Sequence, residues 1–160
     1  MIKGLHHNAY RCRDSEQTRA FYEDFLGLPL MHSFVIEQTK SGRDSNVLHS
    51  FFQMQDGSFL AFFEEPDEPF EFKDQRDFDL HIALEVSRDH MLEMKKKGED
   101  AGMETRGVSD HGFIESIYFR DPNGYVIELT ARVEGEKGDV FDRDEAHKTL
   151  AKWQSSKNAG

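Results

Sequence analysis

Two histidines and a glutamate, His7, His81 and Glu128, are the side chains of this sequence whose types and spacing could together hold a metal ion. The chain of 160 residues carries eight His, 31 Asp and Glu, and one Cys. A single thiol, Cys12, leaves no intrachain disulfide and no Cys-based zinc cluster. Any bound metal must therefore be taken by His and carboxylate. Two His and one carboxylate make a facial ligand set with open positions, which favours non-haem Fe(II); Mn(II), Zn(II), Co(II) and Ni(II) accept the same donors.

A lone histidine on a strand is ordinarily structural. What singles these residues out is an internal repeat. Leu5–Arg13 is predicted as a strand, followed by a helix capped by Asp14 or Ser15 that runs to about Phe25 and ends at Gly27. Strands are predicted at Leu30–Gln38, Val47–Met54 and Ser58–Glu64, the last two joined by the turn Gln55-Asp56-Gly57. A charged connection follows over Glu65–Phe78. The second half repeats this order: a strand at Leu80–Val86, a helix from about His90 to Ala101 capped by Ser87 or Asp89, then strands at Met103–Val108, Phe113–Arg120 and Tyr125–Ala131. Arg132–Asp139 reads as a polar linker, Arg143–Gln154 as an added helix and Ser155–Gly160 as a frayed tail.

The expected fold is thus α+β: two tandem βαβββ modules, about 2–66 and 78–132, forming a cupped mixed sheet around a metal site. They make one domain over 1–140, with a C-terminal helix and tail over 141–160. The spacings agree, since His7 to Gly27 is 20 residues and His81 to Gly102 is 21.

Alternation along strands assigns faces. Leu80, Ile82 and Leu84 turn to the helix side, so His81 turns away from it. Ile127 and Leu129 do likewise, so Glu128 also turns away. The repeat then maps His81 onto His7 and Glu128 onto Ala61. A pseudo-twofold arrangement would bring those four positions together, three able to bind a metal and one not. It also maps His49, Phe51 and Gln53 onto Ser116, Tyr118 and Arg120, which places His49 on the same inner face, where its imidazole could move a proton at neutral pH. Phe59 and Phe63 share parity with Ala61 and, with Phe51, could wall a substrate pocket. Such an apolar wall suits an aromatic ligand better than a small phosphonate.

The runs Leu5-His6-His7, Asp14, Phe21-Tyr22 and Leu26-Gly27, and the run Tyr118-Phe119-Arg120-Asp121-Pro122-Asn123-Gly124 with Glu128-Leu129, resemble the opening and close of vicinal oxygen chelate proteins. That superfamily includes glyoxalase I, type I extradiol dioxygenases, fosfomycin-resistance enzymes and bleomycin-binding proteins. The resemblance implies paired βαβββ modules around a metal that substrates chelate through two adjacent oxygens. It implies His7, His81 and Glu128 as ligands, with His6 the rival of His7. Ala61 stands where glyoxalase I generally carries a glutamate, which disfavours that chemistry. Tyr118, ten residues before Glu128, and His111, in the loop before its strand, resemble the extradiol dioxygenases. Those enzymes also usually carry an acid–base His where this chain has Asp56-Gly57-Ser58.

The expectation is an Fe(II) enzyme of extradiol type on a catechol-like substrate, with Tyr118, His49 and His111 as catalytic groups. The alternatives are a metal-dependent lyase or isomerase and a bleomycin-resistance-type binding protein. His6, His32, His90 and His147 fall outside this site. A net charge of −11 without a basic run disfavours nucleic acid. No apolar run approaches the length of a membrane span, and charges near the N-terminus leave no room for a signal peptide. A cytoplasmic homodimer acting on a small molecule is the expected setting.

Overall fold

The computed structural model describes residues 1–133 and 141–157. Its first module opens with β1 (His7–Arg11) and α1 (Ser15–Arg19). Asp14 caps α1, accepting from the Gln17 backbone N–H. The helix continues over Ala20–Phe25 in wider π-helical turns rather than as one regular α-helix. Leu26 N–H accordingly reaches back five residues to the Phe21 carbonyl. Gly27, at φ +82°, ends it in the left-handed region. β2 (Leu30–Gln38), β3 (Asp44–Gln53) and β4 (Phe59–Glu64) complete the module. β3 starts before the predicted Val47 because Asp44 pairs with Gln38.

The second module comprises β5 (His81–Glu85), α2 (Arg88–Asp100), β6 (Thr105–Asp110), β7 (Ile114–Arg120) and β8 (Val126–Arg132). Ser87 is the cap of α2. β6 lies later than predicted because its pairing runs on through Ser109 and Asp110. Arg132, expected in the linker, is the last residue of β8. Residues 134–139 of that linker lie outside the described residues, as do residue 140 and the last three of the predicted tail. The added helix, α3 (Arg143–Lys157), takes in residues 155–157 of that tail and buries none of its side chains.

Each module forms a four-stranded mixed sheet, in the orders β1-β4-β3-β2 and β5-β8-β7-β6. β1 is parallel to β4 and β5 to β8, and the other pairs are antiparallel. The tandem βαβββ expectation therefore holds. One core spans both modules: Phe21, Tyr22, Phe52 and Phe62 join Met91, Ile117, Phe119 and Ile127 in a single apolar cluster. They come from the helices and from the helix-side faces of both sheets. The modules pack through those sides, so their other faces, which carry the candidate site residues, are turned outward. No helix among the described residues is long and apolar enough to cross a membrane.

Candidate metal centre

On the open face of the second sheet, β5 and β8 run side by side in register Ala83↔Glu128. His81 and Glu128 consequently meet, Nε2 to Oε2, at 3.3 Å. His81 Nδ1 lies 2.7 Å from the Asp77 backbone carbonyl. A carbonyl only accepts, so Nδ1 carries the proton and Nε2 is the atom turned to the site.

Glu128 is 5% exposed. Its side-chain neighbours are His81 and Tyr118, whose hydroxyl donates to Oε1 at 3.2 Å. A buried carboxylate without an arginine or lysine on it is costly unless a cation joins it. This environment fits a metal ligand.

Tyr118 sits across from Glu128 because β7 and β8 pair them directly. Burial, and then the Glu128 charge, push its phenol above the ordinary tyrosine range. His111 Nε2 is 2.9 Å from the same hydroxyl. With the phenol proton given to Glu128, the phenol oxygen accepts from His111. His111, Tyr118 and Glu128 thus form one hydrogen-bonded chain, with His81 Nε2 set beside the carboxylate at its end.

The first sheet carries a different half. His7 is exposed, and its ring lies 5.5 Å from Phe51 and 6.2 Å from His49, centroid to centroid. His49 stacks on Phe63 at 3.8 Å. It donates to the Phe62 carbonyl through Nδ1 at 3.0 Å, so Nε2 is the nitrogen without a proton in the neutral ring. Burial pushes this imidazole below its ordinary range. Phe59 stands edge-on to Phe51 at 5.9 Å. The expected wall of Phe51, Phe59 and Phe63 is therefore contiguous and lies beside His7. Ala61, on the same face, is fully buried.

Two residues of this wall escaped the sequence reading. Phe34 lies parallel to Phe51 at 6.1 Å, and His32, set aside as outside the site, lies 5.9 Å from Phe51. The strand parity of β2 carried the signal, since Phe34 pairs with His49 and His32 with Phe51. On the second sheet Arg106 was also missed. Its guanidinium lies 5.1 Å from the Tyr118 ring centre.

The four mapped positions do not converge within one chain. Among the described residues, no three of His, Cys, Asp and Glu stand close enough to share a metal ion. His81 and Glu128 meet, whereas His7 has His6, Nδ1 to Nδ1 at 2.8 Å, and first-sheet rings for neighbours. The cause is the packing: the modules meet through their helix sides, which carries the open faces apart.

Comparison with known proteins agrees with this architecture. The Glyoxalase/Bleomycin resistance protein/Dioxygenase superfamily model matches residues 4–129. The metallothiol transferase FosB of Bacillus licheniformis is 28% identical over 144 residues, covering 89% of this chain and 80% of that protein. Among solved structures, a mutant of the fosfomycin resistance protein FosX from Listeria monocytogenes, complexed with Mn(II) and 1S,2S-dihydroxypropylphosphonic acid, superposes with TM-score 0.60 at 23% identity. The match covers 83% of this chain and 95% of that one. A glyoxylase/bleomycin resistance protein/dioxygenase domain from Frankia sp. EAN1pec superposes with TM-score 0.67 at 17% identity, covering 85% and 96%.

Proposed function

Because the chain belongs to the glyoxalase/bleomycin resistance protein/dioxygenase superfamily, we propose that it is a divalent-metal enzyme whose centre is completed by a second copy of itself. His81 and Glu128 come from one copy and His7 from the other. Laying the first-sheet face of one copy over the second-sheet face of its partner supplies the third ligand. It also covers Phe34, which is 41% exposed in the single chain. In such a twofold pair the two sites are equivalent.

The bound ion, Fe(II) or Mn(II), would supply chelation of two adjacent substrate oxygens and an open position for O2. The chain's own residues do the rest. Phe51, Phe59 and Phe63 hold a planar, largely apolar ring beside His7. His49 Nε2 takes the proton of a substrate hydroxyl. The Tyr118 hydroxyl, held by Glu128 and His111, orients the substrate oxygens and returns the proton through His111.

The observation that carries this reading is the aromatic wall next to His7, together with a second-sheet face whose arginines are already paired. Arg106 is held by Asp77, Arg120 by Glu104 and Arg132 by Glu85. An aromatic vicinal diol needs no free cation, so ring cleavage of extradiol type is the reaction we assign. Addition of a thiol to fosfomycin is the second reading, favoured by the 28% identity to a metallothiol transferase and the fold shared with a fosfomycin resistance protein.

One comparison decides between them. Protein loaded anaerobically with Fe(II) is mixed with a panel of catechols and O2 uptake is followed. The same protein loaded with Mn(II) is mixed with fosfomycin and a thiol. Diol-dependent O2 uptake is expected. Consumption of fosfomycin without O2 uptake on any diol would replace the first reading by the second.

A further inference from the structure

Asp77 and Arg106 lie outside the ligand set, yet they close a ring around it. Asp77 is in the segment before β5 and uses two different groups. Its backbone carbonyl takes the Nδ1 proton of His81 at 2.7 Å. Its carboxylate takes both terminal nitrogens of Arg106, Nη2 at 2.8 Å and Nη1 at 3.0 Å. Arg106 then lies across the Tyr118 ring, 5.1 Å from its centre. Tyr118 donates to Glu128, and Glu128 meets His81. The circuit His81–Asp77–Arg106–Tyr118–Glu128 returns to its starting residue.

We propose that Asp77 and Arg106 are positioning residues of the metal centre: one bidentate ion pair fixes the His81 tautomer through a backbone carbonyl and holds the Tyr118 hydroxyl on Glu128. This rests on the reading of His81 and Glu128 as metal ligands. Partners of this kind orient ligands and tune their affinity without touching the ion. A planar fork suits both tasks, because it binds a carboxylate through two bonds and presents a flat face to an aromatic ring. Lysine offers a point charge and does neither.

Local sequence supports the placement. Gly107 follows Arg106 at φ +102°, and a Cβ there would meet the Ser116 carbonyl at 2.6 Å. Glycine lets β6 press against β7, and the register shift between Gly107 and Ser109 occurs at that point. Arg106, directly opposite Tyr118 in the pairing, is thereby held over its ring. The Asp77 and Arg106 side chains remain 33% and 43% exposed. A pair this open contributes little to stability. Its removal should leave the fold intact, which separates positioning from a structural role.

The test is titration of metal-free protein with Mn(II) alone, read by calorimetry, alongside thermal midpoints. The panel is the parent, Arg106→Ala, Arg106→Lys, Asp77→Asn and, as a ligand control, His81→Ala. The expected result is Mn(II) affinity about ten- to a hundredfold weaker in Arg106→Ala and Asp77→Asn, with thermal midpoints near the parent's. Arg106→Lys should fail to restore it. Parental affinity in both Arg106→Ala and Asp77→Asn, with affinity lost in His81→Ala, overturns the positioning role and leaves the ligand assignment standing. Parental affinity in His81→Ala, or no Mn(II) binding by the parent, overturns both. If Arg106→Ala does not fold, Asp77→Asn carries the decision alone.

Discussion

The Tyr22 hydroxyl, from the first module's helix, donates to the Asp121 carboxylate in the second module's hairpin turn at 2.9 Å. Both residues are buried, Tyr22 completely. Asp121 also takes the Asn123 and Tyr125 backbone N–H groups and the Asn123 amide. This one carboxylate fastens the helix side of one module to the turn of the other, and so keeps the two open faces apart.

Tyr22→Phe should therefore cost about 1.5–3 kcal/mol, the range for a hydrogen bond to a charged group. Urea unfolding at neutral pH measures it. A loss below about 0.5 kcal/mol, within the scatter of ordinary surface changes, would mean that the contact does not join the modules.

The same pair gives a pH dependence with a definite sign. Burial raises the Asp121 carboxyl above its ordinary range, although the Asn123, Tyr125 and Tyr22 hydrogen bonds each pull it down. A raised carboxyl contributes stability that is fully present below its unfolded value of about 3.9, and loses it as pH rises through the folded value. Taking away the Tyr22 hydroxyl removes one of the bonds favouring the carboxylate, so the folded value climbs further. The Tyr22→Phe penalty should grow between acid and neutral pH. Denaturant midpoints of both proteins at several pH values check this, and a penalty that shrinks with pH contradicts it.

Gly98 lies in α2 where a Cβ would stand 2.5 Å from the Phe119 ring and 2.6 Å from Thr105 Oγ1. Alanine gains about 1 kcal/mol of helix propensity, but overpacking costs about 1–3 kcal/mol. Phe119 is 1% exposed and cannot swing aside. Gly98→Ala should lower the thermal midpoint, and a raised midpoint would show that the core yields there.

His49→Phe keeps a ring on Phe63 and should leave the fold intact. If Nε2 takes the substrate proton, kcat should fall by about 10²–10⁴. Unchanged kcat on the substrate identified in the O2-uptake panel would move His49 into the wall and out of the chemistry.

The fold was legible because period and punctuation agreed twice over. Asp14 and Ser87 cap, Gly27 and Gly102 stop, and Gly57 and Gly124 turn, in the same order in both halves. Strand parity placed His81 and Glu128 on the face away from the helices, and the repeat placed His49 there. Two matters were not legible. The π-helical turns after Arg19 leave no mark in the hydrophobic period. Nor does strand parity say which sides of two sheets pack together: the same pattern serves modules that close a site within one chain and modules that leave two half-sites. Asp77 escaped for another reason, since it acts on His81 through its backbone, which no side-chain pattern records.

The central claim, a centre shared between two copies, is tested most directly by complementation. Chains bearing His7→Ala and chains bearing Glu128→Gln are each titrated with Mn(II), then unfolded, mixed in equal amounts and refolded together. In a shared site each variant alone spoils every centre, while a mixed pair rebuilds one intact centre from its two good halves. Random pairing then restores about one strongly bound Mn(II) per four chains. If each chain holds its own ion through its own His7, His81 and Glu128, mixing restores nothing. A mixture that binds no better than either variant, while the parent binds one ion per chain, contradicts the shared centre.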